Sequence, residues 1–189
     1  MIGVLGLQGD YVAHGLMLQK LDADWQIVKK PDQLQGLDGL IVPGGESTTL
    51  LKLIDSGGFW PHLAALEHQA RPILGTCAGM ILLAREVHKP PQKSLGMIDI
   101  TVERNSYGRQ AESFEAVGEY RHDGRSKPLE MVFIRAPRIL RLGPEVERLA
   151  TCRGDCVLAR QGTVMVASFH PELTRDPTVH QLFLEACHR

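Results

Sequence analysis

Continuous apolar runs alternate with helically spaced apolar positions through the first half of the chain. Strands are predicted over residues 2–7, 25–28 and 37–42, and over a run that ends just before Cys77. Helices are predicted over residues 11–21, around residues 50–54, over residues 59–70 and directly after Cys77. Short strands that alternate with helices in this way predict a parallel α/β sheet with helices on both faces.

The second half of the chain is rich in short strands and turn residues. Strands are predicted over residues 97–103, 114–117, 131–134, 146–151, 156–160 and 163–168. They predict a mixed or antiparallel extension of the same sheet, followed by a last helix over residues 178–186 that packs back on the core. The charged segment 118–130 is interpreted as a variable surface loop.

The composition excludes several classes of protein. A chain of 189 residues without repeats, linkers or low-complexity segments predicts a single domain over residues 1–189. The formal net charge is -1 and the basic residues are scattered, so neither nucleic acid nor a membrane surface is expected as a partner. The first residues lack the pattern of a signal peptide or an anchor, and the four cysteines are expected to be reduced thiols, which together predict a cytoplasmic protein.

The stretch around Cys77 carries the strongest indication of chemistry. Cys77 lies between a predicted strand and a predicted helix, with Gly75 and Gly79 on either side. Small residues permit the sharp turn of a nucleophile elbow, and the start of a helix stabilises a thiolate. The alternative is a buried core cysteine, which is what most lone cysteines are.

A base for this thiol is expected at the end of the last predicted strand. A nucleophilic cysteine needs a base within hydrogen-bond reach and a third group that orients the base. His170 follows an apolar run, and Pro171 stiffens the chain so that Glu172 can approach the imidazole. His170 alone would also fit a strand end with a capping histidine. The other histidines lie on predicted helices or loops and are expected at the surface: His14, His62, His68, His88, His122, His180 and His188.

Two more loops follow predicted strands and are expected at the same edge of the sheet. One contains Gln8 and Gly9, and the other is a Pro-Gly-Gly-Glu-Ser run that ends at Ser47. Paired glycines let a backbone N–H point at a ligand, so an oxyanion hole is predicted from the amides of Gly45 and Ala78. A phosphate loop is the rival interpretation, but the Walker lysine and the GxGxxG spacing are missing. A turn with Ser47 as helix N-cap is compatible with the oxyanion hole.

Cys152 and Cys156 flank an Arg-Gly-Asp turn. A CxxxC pair without a matching second pair favours a β-hairpin over a metal site, so no metal is expected. An adhesion role for the Arg-Gly-Asp triplet would need an extracellular protein.

In this order the motifs resemble the class I (triad-type) glutamine amidotransferases, and among them the glutaminase subunits of pyridoxal 5'-phosphate synthase, the PdxT/SNO family. The resemblance spans the whole chain. The triad segments identify the superfamily, and the start of the chain with the Arg104 and Ile134-Arg135 segments selects the subfamily. The matching segments are Gly3-Val-Leu-Gly-Leu-Gln-Gly-Asp10, Gly44-Gly-Glu-Ser-Thr-Thr49, Gly75-Thr-Cys-Ala-Gly-Met80, Arg104-Asn-Ser-Tyr-Gly-Arg-Gln110, Phe133-Ile-Arg-Ala-Pro137 and Ser168-Phe-His-Pro-Glu-Leu-Thr174.

The resemblance implies a three-layer α/β sandwich with a mostly parallel central sheet, of the flavodoxin-like kind. It implies hydrolysis of L-glutamine to L-glutamate and ammonia without a cofactor. The ammonia would pass to a synthase subunit that makes pyridoxal 5'-phosphate, in a hetero-oligomer of twelve plus twelve subunits. The family's free glutaminase is typically idle until the partner docks, and a loop at Gly44-Gly45 that must reorient a peptide would explain this.

The resemblance also implies roles for particular residues. The catalytic triad would be Cys77, His170 and Glu172, and Gln8 and Gly9 would lie at the partner face. Glutamine contacts are implied for Gly45, Glu46, Ser47, Arg104, Ile134 and Arg135. The residues alone call for a cationic group near the substrate carboxylate and leave the choice between the two arginines open.

Three rival functions remain at this point. The chain could serve as the glutaminase of another synthase, such as the one of the histidine pathway. It could be a different α/β cysteine hydrolase, although those commonly take their histidine from directly after the nucleophile, where this chain has Ala78. It could also be a non-catalytic binding module in which Cys77 is structural.

Overall fold

A nine-stranded sheet organises the computed structural model, which describes residues 1–104 and 113–188. The strands in chain order are β1 (Ile2–Leu5), β2 (Trp25–Val28), β3 (Gly39–Val42), β4 (Ile73–Thr76), β5 (Ala84–His88), β6 (Ile98–Glu103), β7 (Phe114–His122), β8 (Arg125–Phe133), β9 (Arg138–Leu142), β10 (Glu147–Cys152), β11 (Asp155–Gln161) and β12 (Val164–Ala167). The helices are α1 (Tyr11–Lys20), α2 (Ser47–Ser56), α3 (Trp60–His68), α4 (Ala78–Leu83) and α5 (Thr178–Cys187).

The large sheet has the order β2-β1-β3-β4-β12-β11-β10-β7-β8. The first five of these strands are parallel to one another, and each later neighbour is antiparallel. The sheet therefore has the predicted parallel part and the predicted antiparallel extension. In the register of the central strands, Val42 lies beside Gly75 and Ala167 lies beside Thr76. The chain consequently leaves β3, β4 and β12 at one edge, which is where the site is built.

Helices cover both faces of this sheet because successive strand residues point to opposite sides. In β3, Leu40 and Val42 join an apolar cluster with Leu50 of α2 and Leu63 of α3. The intervening Ile41 belongs to a second cluster, on the face covered by α1 and α5. The result is three layers with a core on each side of the sheet.

The prediction of a surface loop over residues 118–130 is wrong. This segment forms most of the β7–β8 hairpin, which is paired continuously from Phe114↔Phe133 to His122↔Arg125. The sequence pattern does not indicate a hairpin here, because exposed charged side chains along both strands interrupt the apolar pattern of a strand. The pairing of Tyr120 with Ala150 joins the hairpin to β10.

Residues 97–103 do not extend the large sheet as predicted. They form β6, which pairs with β5 and β9 in a separate three-stranded sheet. Strand β5 begins at Ala84, where the run of helix-forming residues predicts a continuing helix. Neither β5 nor β9 is predicted from the sequence, because each is only five residues long and lacks the strict alternation of buried and exposed positions that indicates a strand.

Within residues 1–104 and 113–188, no helix combines the length and the apolar character that a membrane span requires.

Candidate active site

Cys77 occupies the turn between β4 and α4. Its backbone has φ 47° and ψ −102°, which is a strained conformation for a residue with a side chain. Its N–H donates to the Ala167 carbonyl at 2.8 Å, so the corner is anchored to β12. The glycine on the helix side is needed for close packing, because a Cβ atom on Gly79 would lie 2.1 Å from the Val42 carbonyl oxygen. The structure therefore has the strained strand-to-helix turn that the sequence predicts at Cys77.

His170 and Glu172 follow β12 and lie beside the thiol. The His170 N–H donates to the Val132 carbonyl at 2.8 Å, which fixes the backbone of the base. His170 Nδ1 donates to Glu172 Oε1 at 2.7 Å, and the Glu172 side chain is fully buried. This bond fixes the tautomer of the imidazole and leaves Nε2 for the thiol. The structure thus brings Cys77, His170 and Glu172 together.

The electrostatics of this group favour a charged imidazole. Burial opposes the charged form of His170, but hydrogen bonds to Cys77 and Glu172 and the electrostatic interactions with these two groups outweigh it and raise the pKa of His170 to about 10. Burial likewise opposes the charged form of Glu172, and the nearby His14 and His170 nevertheless hold the pKa of this carboxyl below its usual value. A protonated imidazole beside a cysteine sulfur is suited to nucleophilic attack followed by protonation of a leaving group.

The glycine loop after β3 packs directly on these side chains. A Cβ atom on Gly44 would lie 2.4 Å from His170 Cε1, and Gly45 has φ +128°. Gln8 holds the loop from the other side: its Nε2 donates to the Gly44 carbonyl at 3.0 Å, and its Oε1 accepts the Glu46 N–H at 3.0 Å. The loop is therefore clamped between the base and the turn after β1.

Glu46, and not Ser47, is the N-cap of α2. Its two carboxylate oxygens accept the N–H groups of Thr48 at 3.0 Å and Thr49 at 2.7 Å. Burial works against the charged carboxylate, but these bonds and those from the two hydroxyl groups lower the pKa of Glu46 to about 2. Arg104 lies against the same cap, 3.1 Å from Thr48 Oγ1 and 3.6 Å from Glu46 Oε1.

A cavity of about 380 Å³ lies between these elements. Its lining is Gly9, Asp10, Gly45, Glu46, Ser47, Cys77, Ile81, Arg104, Ile134, Arg135, His170 and Leu173. The structure places all the residues predicted to contact the substrate in this lining. The cavity lining does not include three other predicted site residues, which are Gln8, Ala78 and Glu172. Residues 105–110 of the Arg104 segment lie outside the described residues.

The expectation that His14 and His180 lie at the surface is wrong. Both are 0 % exposed and lie against the back of the triad. The helix is predicted from the apolar positions Val12, Leu16 and Leu18. Leu18 is buried, but Val12 and Leu16 are about half exposed, and α1 buries the face of His14, Met17 and Leu18. This i, i+3, i+4 spacing is the signal that could have placed His14 in the interior.

Cys152 and Cys156 are buried free thiols on either side of the β10–β11 turn. Among residues 1–104 and 113–188, no three His, Cys, Asp or Glu side chains form a group that could hold a metal ion.

Comparison with known families decides which group of enzymes this site belongs to. The model of the SNO glutamine amidotransferase family matches residues 4–189. The chain belongs to the SNO glutamine amidotransferase family. The predicted fold, a sandwich of the class I glutamine amidotransferase type, is thereby confirmed. A solved structure described as a glutamine amidotransferase has a TM-score of 0.92 and 45% identity, and the match covers 100% of this chain and 99% of that one.

Relatives of this family member carry a more specific name. The "Pyridoxal 5'-phosphate synthase subunit PdxT" of Thermosipho africanus is 50% identical over 183 residues, which cover 97% of this chain and 96% of the relative. The protein of the same name from Koribacter versatilis is 51% identical over 184 residues, or 97% of this chain and 94% of the relative.

Proposed function

We propose that this chain is the glutaminase subunit of a pyridoxal 5'-phosphate synthase. It hydrolyses L-glutamine to L-glutamate and delivers the ammonia to a synthase subunit. The observation that carries the proposal is one cavity in which the Cys77 sulfur, the His170–Glu172 pair and the glycine loop meet. Membership of the glutamine amidotransferase family and the name of the most similar relatives support it.

The reaction is proposed to run through a thioester. The Cys77 sulfur attacks the side-chain amide carbon of glutamine, and the oxyanion that forms accepts hydrogen bonds from the amides of Gly45 and Ala78. His170 gives its proton to the nitrogen, and ammonia leaves as the carbonyl re-forms. His170 then takes a proton from water, which attacks the thioester and releases glutamate and the free thiol. Glu172 holds the imidazole throughout.

The rest of the cavity is proposed to hold the amino acid end of the substrate. Arg104 and Arg135 are the cationic groups of the lining, and a substrate carboxylate needs one of them. Arg104 is already bonded to Thr48 and is only 11% exposed, whereas Arg135 is exposed. Glu46, Ser47 and Ile134 line the remaining wall.

The partner is proposed to bind at the turn that contains Gln8 and Gly9. A Cβ atom on Gly9 would lie 1.9 Å from the Gly44 carbonyl oxygen, so this turn and the glycine loop are in direct contact. A subunit that presses on the turn would therefore act on the loop beside the thiol. We also propose twelve copies of each subunit and a cytoplasmic location, which four free thiols favour.

The test is ammonia release from glutamine by the purified chain, alone and mixed with the synthase subunit. Hydrolysis that rises strongly in the mixture and vanishes in Cys77→Ala is the expected result. Cys156→Ala is the matched control, because this thiol is also buried and free but lies in β11, and it should retain the activity. A folded chain that forms the complex and releases no ammonia would overturn the proposal.

A further inference from the structure

Two buried histidines form a chain behind the triad carboxylate. His14 of α1 and His180 of α5 approach each other with 2.9 Å between His14 Nδ1 and His180 Nε2. The other nitrogen of His14, Nε2, lies 3.3 Å from Glu172 Oε2 and 3.3 Å from Thr76 Oγ1. Both rings are 0 % exposed, and the reaction described above uses neither of them.

Two polar atoms at the ends of this chain lack an aligned hydrogen-bond partner among the described residues. They are Glu172 Oε2 and His180 Nδ1. A buried carboxylate oxygen without an aligned donor is costly, and His14 Nε2 lies 3.3 Å from this oxygen. The other oxygen of the same carboxylate already accepts the His170 hydrogen. The environment of Oε2 therefore depends on which His14 nitrogen carries the hydrogen.

The positions of these atoms select one tautomer. A hydrogen on His14 Nε2 faces Glu172 Oε2 and Thr76 Oγ1, and His14 Nδ1 then accepts from His180 Nε2. His180 Nδ1 is left as an unpartnered lone pair. The opposite arrangement would turn a His14 lone pair towards the carboxylate and leave a buried N–H on His180 Nδ1 without an acceptor. Both of those features are unfavourable.

We propose that His14 is a positioning residue of the triad, which presents its Nε2 hydrogen to the inner oxygen of Glu172, and that His180 supports this tautomer by donating its own Nε2 hydrogen to His14 Nδ1. The triad is thus continued by two neutral rings from α1 and α5. His180 donates its Nε2 hydrogen to His14 Nδ1, and His14 presents its Nε2 hydrogen to the carboxylate that holds the His170 imidazolium.

The surroundings of His14 keep it neutral. Its charged and titratable neighbours are Glu172 and His170 from the turn after β12, His180 from α5 and Asp10 at the start of α1. Burial lowers the pKa of His14 below its usual value despite the attraction of Glu172. Burial also lowers the pKa of His180 to about 3, and the neighbouring His14 adds to this effect. A neutral His14 N–H stabilises the negative charge of Glu172 without forming a second ion pair that would weaken the one between Glu172 and His170.

Nuclear magnetic resonance of the chain labelled with 15N-histidine tests the tautomers directly and needs no activity. Both rings are expected as neutral Nε2–H tautomers between pH 6 and 8, with signals assigned from His14→Gln and His180→Gln. In His180→Phe, His14 Nδ1 loses its hydrogen-bond donor, so its 15N signal should shift towards that of an acceptor nitrogen without a hydrogen bond, while the hydrogen stays on Nε2 beside Glu172. A His14 ring that carries its hydrogen on Nδ1, or that is charged in this range, would overturn the proposal.

The kinetic test uses the complex with the synthase subunit and rests on the proposed glutaminase activity. His14→Phe removes the donor, so Glu172 should become neutral at higher pH and release the His170 imidazolium. The acid limb of kcat/KM is expected to move up by about one pH unit, with a loss of about tenfold on that limb. His14→Gln keeps a donor near Nε2 and an acceptor for His180, and it should restore the profile.

Leu18→Ala is the control for mere loss of packing, because Leu18 is buried on the same face of α1 without a polar role. It should lower stability and leave the acid limb in place. The proposal is overturned if His14→Phe keeps the wild-type limb, if His14→Gln behaves like His14→Phe, or if Leu18→Ala shifts the limb equally. If neither the wild-type complex nor any variant hydrolyses glutamine, the proposed glutaminase function is wrong. The tautomer measurement would still test the proposed role of His14, because it does not depend on activity.

Discussion

At Gly44, an added Cβ atom would lie 2.4 Å from His170 Cε1 and 3.1 Å from Cys77 Cβ. The backbone there has no positive φ, so alanine is excluded by space and not by conformation. The loop and the two reacting side chains thus share one packed surface. Small displacements of the loop are transmitted to the base, because no gap separates them.

We expect Gly44→Ala to reduce glutamine hydrolysis by the complex about a hundredfold, since a displacement of about 1 Å at reacting groups has this effect. The measurement is the rate of ammonia release beside the free energy of unfolding in urea. Gly57→Ala is the control: its Cβ would meet Leu53 and Phe59 at 2.9 Å, away from the cavity. A wild-type rate of hydrolysis in Gly44→Ala would contradict this prediction, because it would show that the loop accommodates the added methyl group without displacing His170.

At the scale of elements, α4 lies unusually close to the sheet. Its second residue is Gly79, and a Cβ atom there would come within 2.1 Å of the carbonyl oxygen of Val42 in β3. The same helix packs against Gly75 in β4, where an added Cβ atom would lie 2.7 Å from the Gly79 carbonyl carbon. These contacts set the depth at which the helix sits, and with it the position of the elbow.

We expect Gly79→Ala to lower the free energy of unfolding by about 1–3 kcal/mol, the usual cost of overpacking. Urea denaturation at neutral pH measures it. The exposed helix residue Lys52 provides the comparison, because Lys52→Ala should stay within about 0.5 kcal/mol of the wild type. Equal stability of Gly79→Ala and wild type would contradict the close approach.

At the scale of the whole molecule, the core carries titratable groups on one side of the sheet. His14 and His180 are buried beneath α1 and α5, and Glu172 is buried between them and His170. Burial lowers the pKa of both histidines, and that of His180 falls to about 3. The unfolded chain therefore binds protons that the folded chain excludes.

This difference predicts a loss of stability in mild acid. A histidine whose folded pKa lies below 6.5 favours unfolding as the pH falls below 6.5, and the effect grows until the folded pKa is reached. For His180 the slope should be about 1.4 kcal/mol per pH unit. Glu172 acts in the same direction at lower pH, because its folded pKa is depressed.

The measurement is urea denaturation of the free chain between pH 7 and 5. His180→Phe should show a shallower decline than the wild type, and the exposed His68→Phe should decline as the wild type does. Parallel curves for His180→Phe and the wild type would contradict the prediction.

Sequence reasoning predicted the parallel sheet and the proximity of Cys77, His170 and Glu172 because both depend on local signals. Apolar runs followed by glycine mark β3 and β4, and the chain leaves those strands at the same edge as His170. The β7–β8 hairpin was missed because its stability comes from pairing between charged, exposed strands. The inward orientation of His14 was missed because two exposed apolar residues define the wrong face of α1. Such choices depend on tertiary contacts, which local pattern does not contain.

The left-handed backbone of Cys77 has a consequence for selection. A side chain at φ 47° is held in a conformation that only glycine adopts without strain, so the natural residue makes the fold weaker than it could be. Glycine at position 77 would relieve that strain and remove the proposed nucleophile. Selection for stability alone would therefore favour glycine over cysteine at this position, and the proposed reaction is the reason we give for the presence of the thiol.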